Sequence, residues 1–204
     1  MDLSGAVNDY EASTHVLLEA ARSVRQDQLD RRVPGGWSAR QIIHHVADSE
    51  TQSYVRLRRL IAEPEGSLVQ DYDEAAWAES DALGYRDLAV EHSLAVFAAV
   101  RTASLDVLRR LQVEDLERYG EHSESGRYTL ATWLDVYTRH PREHTKQLLE
   151  ALNAWATCAG PSARSRARRR PRRAVADGQS SCPGPAVLGS ARAIPTCAEW
   201  RREP

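Results

Sequence analysis

The sequence predicts an all-α protein: a four-helix bundle at residues 1–156 followed by a disordered C-terminal tail at residues 157–204. Four long segments repeat apolar residues at the spacing of an amphipathic helix, and no segment shows sustained strand alternation. One connection between these segments is long and polar, which fits a crossover in a bundle. From Cys158 onward the amphipathic period disappears, and this marks the end of the predicted bundle.

The first two predicted helices lie at about residues 4–26 and 38–63. The second begins with a capping box, in which the Ser38 side chain caps the helix amides and Gln41 reaches back to the Ser38 amide. It ends near Glu63 because the residue before a proline avoids the α region. The buried stripe of the first helix is formed by Val7, Tyr10, Leu17, Leu18, Ala21 and Val24.

The third and fourth predicted helices, at about residues 86–112 and 129–155, follow a polar connection at 63–85. The outer face of the third carries arginine and glutamate, and a loop at 120–128 precedes the fourth. The third helix has the apolar stripe Leu88, Phe97, Leu105, Leu108 and Leu111. The fourth has the stripe Leu130, Trp133, Leu134, Tyr137, Leu148 and Ala151.

Charge and cysteine are distributed unevenly along the chain. Residues 156–204 hold ten arginines and three acidic residues, which leaves 17 basic and 26 acidic residues, a formal charge of −9, for residues 1–155. An acidic bundle is a poor nucleic-acid binder. All three cysteines lie at or after position 158, so neither a disulfide framework nor a cysteine nucleophile is predicted for the bundle. With no signal pattern and no long apolar run, we predict a cytoplasmic protein without a membrane span.

The tail is rich in alanine, arginine, proline, glycine and serine. Such a composition buries too little apolar surface to offset its ordering entropy, so disorder is predicted. Its run SRARRRPRR, at 165–173, has the composition of a basic nucleic-acid or targeting patch. The same composition is typical of an extension without a selected role, and we assign the tail no function.

Three of the seven histidines are predicted to face one point inside the bundle. His140 and His144 stand four apart in HPREH and share the helix face of Tyr137, so their imidazoles can meet on one ion. His45 lies near the inward face of the second helix, whereas His44 is rotated by about 100° toward an edge. Three neutral imidazoles with an open position are typical of catalytic zinc. The plainer interpretation is a chance HxxxH spacing and a satisfied core histidine.

HPREH also fits the inverted zincin pattern H-x-x-E-H, in which the glutamate activates water. That class needs an acidic ligand further downstream and a larger α/β scaffold, and neither is predicted for this chain. Asp48, one turn after His45, is a candidate for orienting a ligand histidine or is a surface charge. Glu143 is a candidate general base or a surface charge. His122 is predicted to be an exposed loop residue, with a place in the bundle cavity as the alternative. His15 and His92 are predicted to be structural or surface residues.

The segments GWSARQIIHHVADSE (36–50), SYVRLR (53–58) and SGRYTLATWLDVYTRHPREHTKQL (125–148) resemble the DinB/YfiT-like superfamily. That superfamily includes metal-dependent hydrolases and bacillithiol transferases. The resemblance covers about residues 10–155 and implies an up-down-down-up four-helix bundle that holds zinc or nickel at three histidines. Carried over by position, the ligands are His45, His140 and His144. Pro141 and Glu143 depart from the family pattern, which commonly has glycine after the first histidine of the pair and often histidine before the second. A proline here is expected to remove the bond to the Tyr137 carbonyl and to bend the helix.

The resemblance implies a metal-dependent enzyme that acts on a small molecule. Its metal would activate either water, for hydrolysis, or a low-molecular-weight thiol, for S-transfer. A homodimer is a further expectation, because family members often pair. The alternative is a non-catalytic bundle that binds metal or a partner in a stress response.

Overall fold

The computed structural model describes residues 2–158, and it contains the four long helices that the sequence predicts. These are α1 (Leu3–Arg22), α2 (Ala39–Ala62), α4 (Glu91–Leu108) and α5 (Leu130–Cys158). The short helix α3 (Glu74–Glu79) lies in the long connection between α2 and α4. Because α5 extends to Cys158, the helix passes the predicted boundary at 156. The rest of the predicted disordered tail lies outside the described residues.

The helices form a bundle in which α1 and α2 each pack mainly against α4 and α5. α1 and α2 therefore lie diagonally across the bundle from each other, as do α4 and α5. The long connection that carries α3 joins α2 and α4, which are neighbours in the bundle. The prediction of an all-α four-helix bundle is confirmed. Among residues 2–158, no helix is both long and apolar enough to cross a membrane.

Three helix boundaries, the end of α1 and both ends of α4, differ from the prediction because turns replace the first or last helical residues. After Arg22 the chain leaves α1 and enters a single 3₁₀ turn at Gln26–Gln28. Before α4, Gly84 adopts φ 64°, in the left-handed region that favours glycine. The Leu88 side chain occupies the space where a Cβ of Gly84 would lie, and it is 56% exposed. Leu88 therefore belongs to this turn, and its predicted place in the apolar stripe was wrong.

The capping box at the start of α2 is present. The Ser38 side chain accepts a hydrogen bond from the Gln41 amide at 3.3 Å, and the Ser38 amide donates to the Gln41 side chain at 3.0 Å. A cap of this kind contributes about 1 kcal/mol to helix stability. It also sets where the first turns of α2 begin, and His45 stands in the second of these turns.

A three-stranded sheet, which the sequence did not predict, lies beside the bundle. Strand β1 (Leu68–Val69) pairs in parallel with β2 (Tyr119–His122), which pairs antiparallel with β3 (Gly126–Thr129). Strands of two to four residues are too short for alternation to reveal. Gly120 permits the close pairing, since a Cβ there would lie 2.6 Å from a Val69 methyl carbon. The sheet ties the connection after α2 to the loop before α5.

The apolar core consists of two clusters separated along the helices by a buried polar layer. One cluster includes Tyr10, Leu57 and Trp133, and the other includes Leu17, Ile42 and Phe97. Between them, each of the four long helices contributes polar side chains that are at most 3% exposed: Ser13, Glu50, Ser53, Arg101, Ser104 and His140. Buried polar groups need partners, so this layer determines how the four helices are positioned relative to one another.

Arg101 of α4 is the centre of the polar layer, although the sequence predicted arginine for the outer face of this helix. Its side chain is fully buried, and its charge is paired with Glu50 at 3.1 Å. The five N–H groups of a guanidinium all donate here. The acceptors are the Thr14 and Ser13 hydroxyls, the Glu50 carboxylate and the carbonyls of Tyr10 and Tyr137. Arg101 thereby connects α4 with each of the other three long helices.

Pro141 lies inside α5, and the helix continues through it. A proline has no N–H, so the carbonyl four residues earlier, that of Tyr137, loses its donor within the helix. The Arg101 guanidinium donates to this carbonyl at 2.6 Å and replaces the missing bond. The sequence correctly indicated the missing bond but could not indicate its replacement, which comes from another helix.

Replacing Pro141 with alanine is expected to change the free energy of unfolding by less than about 1 kcal/mol, although an interior proline ordinarily costs about 3 kcal/mol. The reason is that the Tyr137 carbonyl already has a donor in Arg101. Urea denaturation of the two proteins measures the difference. A gain in stability near 3 kcal/mol would show that the Arg101 bond does not compensate for the proline.

Candidate metal centre

Three histidines from two helices meet at one end of the polar layer. His45 comes from α2, and His140 and His144 come from successive turns of α5. One ring nitrogen of each lies within 4.8 Å of a ring nitrogen of the other two. The ring centroids are 5.4 Å apart for His45 and His140, 4.7 Å for His45 and His144, and 4.4 Å for His140 and His144. The three imidazoles thus face a common point.

This arrangement fits a divalent ion. A histidine nitrogen binds zinc at about 2.0–2.1 Å, so two such atoms on one ion are at most about 4.2 Å apart. A separation of up to 4.8 Å is close to this limit, and small side-chain rotations would bring the atoms within it. The Nδ1 atom of His45 is buried and makes no hydrogen bond within the described part of the chain. A buried polar atom without a partner is rare in proteins, and a functional role of its side chain is one recognised explanation for it.

Burial keeps the imidazoles neutral, as metal binding requires. Burial lowers the pKa of His45 well below its ordinary value, and the nearby His144 lowers it further. Burial lowers the pKa of His144 to about 4, against a hydrogen bond to Gln147 that acts in the opposite direction. At neutral pH both rings therefore carry a lone pair that can bind a cation.

Gln147 determines which nitrogen of His144 faces the site. The Nδ1 atom of His144 lies 2.7 Å from the side-chain oxygen of Gln147, one turn further along α5. Because an amide oxygen only accepts, Nδ1 must carry the proton, and Nε2 is left with its lone pair. On another side of the site, the Trp37 ring lies 4.7 Å from that of His45. The Trp37 indole, just before the start of α2, therefore packs against the His45 ring.

The sequence and the fold agree with a known family. The family model of the DinB superfamily matches residues 9–148. The chain belongs to the DinB superfamily. A Bacillus cereus protein named "Putative metal-dependent hydrolase" is 35% identical over 144 residues, which cover 70% of this chain and 80% of that protein. An Oceanobacillus iheyensis protein named in the same way is 34% identical over 139 residues, covering 68% of this chain and 78% of the relative.

A solved structure agrees with this DinB assignment. It is described as YfiT from Bacillus subtilis, "a probable metal-dependent hydrolase with an unusual four-helix bundle topology". Its TM-score with this chain is 0.68 at 27% sequence identity, and the match covers 76% of this chain and 87% of YfiT. The predicted resemblance to the DinB/YfiT-like superfamily is therefore confirmed.

The two predicted catalytic carboxylates of this DinB protein make their contacts away from the three imidazoles. Asp48 accepts a hydrogen bond from the Tyr85 hydroxyl at 2.6 Å, and burial raises its pKa. Glu143 lies 3.8 Å from Arg139, and burial likewise raises its pKa. No hydrogen bond or ion pair within residues 2–158 joins either carboxylate to His45, His140 or His144. A catalytic role for either residue remains a prediction without a supporting contact.

The other histidines of the DinB chain divide into buried and exposed residues. His44 is buried and turned away from His45, with Nδ1 2.8 Å from the Ser93 hydroxyl and Nε2 3.3 Å from the Leu88 carbonyl. His122 is 3% exposed and lies 3.7 Å from Asp71, so the prediction of an exposed loop histidine was wrong. The strand pairing of β2 buries it. His15 and His92 are exposed, as expected for surface residues.

Sequence reasoning missed Glu74, whose carboxylate Oε2 lies 3.9 Å from Nε2 of His45. Asp73 caps α3 by accepting a hydrogen bond from the Ala76 amide at 2.9 Å, and this cap was the available sign of a helix within the long connection. Nothing local shows that the helix packs beside His45. That placement depends on the path of the whole connection.

Proposed function

We propose that this DinB protein is a metal-dependent hydrolase, with zinc or nickel held by His45, His140 and His144. The observation that supports the proposal is the convergence of three buried or partly buried imidazoles from facing helices within 4.8 Å. Three protein nitrogens leave at least one position on the ion for substrate, which distinguishes catalytic from structural zinc sites. The names of the two relatives agree with hydrolysis.

The chain's own residues would bind and orient the ion and the substrate. His144, with its proton on Nδ1 held by Gln147, presents Nε2, and the α5 backbone keeps His140 one turn away. Trp37 limits the access of water to His45. The ring of Tyr137 lies 6.2 Å from that of His140, so Tyr137 borders the site. Its hydroxyl accepts a hydrogen bond from Arg56 at 3.0 Å. A bound divalent ion would lower the pKa of a coordinated water or thiol and polarise a substrate oxygen.

The test begins with metal analysis of the full chain purified after growth with added zinc or nickel. The proposal predicts one divalent ion per chain, and absence of a stoichiometric ion would overturn it. The loaded protein is then assayed for hydrolysis of small ester and amide substrates before and after chelation. Hydrolysis should disappear on chelation and return when the metal is restored.

S-transfer from a low-molecular-weight thiol is the second candidate. Residues 1–157 contain no cysteine, so a sulfur nucleophile at this site would have to come from a bound small thiol. The site requirements are the same, because a divalent ion lowers the pKa of a thiol as it does that of water. Conjugation of a generic electrophile, with and without an added thiol, distinguishes the two. Thiol-dependent product without hydrolysis would favour transfer.

The remaining expectations stay predictions. If the loaded protein has neither activity, the alternative of a non-catalytic metal-binding or stress-response interaction bundle is favoured. A homodimer and a cytoplasmic location are tested by sedimentation of the full chain and by fractionation of the source cells.

We also propose that residues 1–156 form the metal-binding domain and that residues 157–204 are not needed for it. The family match ends at residue 148, and the three histidines and their neighbours Trp37, Glu74 and Gln147 all lie before that position. A chain ending at residue 158 is expected to keep the unfolding free energy and the metal content of the full chain. Loss of either would show that the later residues contribute to the domain.

A further inference from the structure

Glu74 is a carboxylate beside the histidine site that the proposed function does not yet use. It is the first residue of α3, and the packing of this short helix against α2 directs it toward His45. Its side chain is only 12% exposed, and its Oε2 atom lies 3.9 Å from Nε2 of His45. A carboxylate held this close to a cation site, and largely shielded from water, is positioned to interact with the cation.

The separation of these two atoms suits two ligands of one ion. Carboxylate oxygens and histidine nitrogens both bind zinc at about 2.0–2.2 Å, so two such atoms on one ion are at most about 4.2 Å apart. The observed 3.9 Å lies inside this limit. The oxygen and the nitrogen can therefore bind one ion. Glu74 does not yet lie within 4.8 Å of the ligand atoms of all three histidines, so its side chain must move toward His140 and His144 to share their ion.

Three acidic side chains, from α2, from α5 and from the connection after α2, make contacts outside the histidine cluster. Asp71 pairs with Arg56 at 3.1 Å, Glu143 lies near Arg139, and Asp48 accepts from Tyr85. Three neutral imidazoles leave both charges of a divalent ion uncompensated in a largely buried site, which is unfavourable without an anionic partner. Of these carboxylates, Glu74 is the one that lies against a histidine of the cluster.

We infer that Glu74 is a fourth protein ligand of the metal centre and binds the same ion as Nε2 of His45. This inference rests on the proposed three-histidine site and adds a carboxylate to it. A site with three histidines and one glutamate keeps room for substrate on an ion that expands to five ligands, as zinc does in some reactions. The carboxylate also lowers the net charge of the loaded site from +2 to +1.

The test compares metal affinity in the full chain and in its Glu74→Gln variant, by competition with a chromophoric chelator for zinc. The amide keeps the size of the side chain but removes its charge. We expect affinity to fall by at least the 10- to 100-fold that is typical when a carboxylate supporting a metal site is removed. Glu79→Gln is the matched control, because Glu79 ends the same helix and is exposed. It should bind zinc as the unmodified chain does.

The visible absorption of the cobalt(II)-loaded proteins provides a readout independent of activity. Loss of an oxygen ligand should change the d–d bands of the Glu74→Gln variant, and those of Glu79→Gln should stay the same. If Glu74→Gln is poorly folded by circular dichroism, Glu74→Asp replaces it. That variant keeps the charge but withdraws the oxygen by one methylene, and it should likewise weaken binding and change the spectrum.

The outcomes separate this inference from the proposed function. If the unmodified chain binds no zinc or cobalt, both are overturned. If it binds metal and Glu74→Gln binds equally well, only the inference about Glu74 is overturned. A lower affinity with unchanged cobalt bands also overturns direct binding, since the carboxylate would then act on the ion from a distance.

Discussion

Replacement of His45 or His144 by alanine is expected to abolish stoichiometric binding of a divalent ion. Each change removes one of only three converging imidazoles, and the two that remain bind zinc too weakly to retain it through purification. Loss of affinity should exceed about 100-fold, because even residues that only support metal ligands cost 10- to 100-fold. Metal analysis of the purified variants and titration calorimetry measure the loss.

His44 provides the matched control for these variants. It is the neighbour of His45 on α2, and it is also buried, but it faces Ser93 and the Leu88 carbonyl. His44→Gln should therefore keep its metal while losing some stability. Equal metal loss in the His44 and His45 variants would point to a general disturbance of α2. Retention of metal and activity in both the His45 and His144 variants would rule out the site.

Replacement of Arg101 by methionine is expected to lower the free energy of unfolding by about 3–5 kcal/mol, the loss typical when one partner of a buried ion pair is removed. The change leaves the Glu50 carboxylate in the core without its cation and removes the donors to the Tyr10 and Tyr137 carbonyls. Since a domain is stable by only about 5–15 kcal/mol, this is a large part of the total. Urea denaturation followed by circular dichroism measures it.

Two further variants identify the cause of that loss. Arg109 ends the same helix in an exposed ion pair with Glu11, so Arg109→Met should cost less than about 1 kcal/mol. Adding Glu50→Gln to Arg101→Met removes the buried charge and should restore part of the stability. The Tyr137 carbonyl still lacks a donor, because Pro141 has no N–H, so recovery should be incomplete. Equal losses for Arg101→Met and Arg109→Met would mean that the buried layer is not what stabilises the bundle.

The structural features that depend only on neighbouring residues could be predicted from the sequence. The capping box at Ser38 and the stop before Pro64 each depend on residues within one turn, and both were predicted correctly. Helical spacing likewise placed His140 and His144 on one face and separated His44 from His45. The family resemblance, carried by short segments in order, led to the same three histidines that the structure brings together.

The helix boundaries and strands that were missed either have a misleading local signal or depend on the pairing of distant segments. The start of α4 was placed too early because Leu88 fits the helical period, yet it packs over Gly84 in a turn. The strands at 68–69, 119–122 and 126–129 form only because the chain returns to pair distant segments. Their pairing also buries His122, although the residues around it have the composition of a loop.

By itself, the sequence determined the four helices, the cap of α2 and the helix faces on which His44, His45, His140 and His144 lie, because these depend on neighbours within a turn. Only the tertiary structure decided what those faces meet. An arginine that looks like a surface residue is buried at the centre of the bundle and donates to the carbonyl that Pro141 leaves without a partner. Glu74, from a short helix in a polar connection, comes to lie against His45. Such contacts depend on long-range packing, which leaves no periodic trace in the chain.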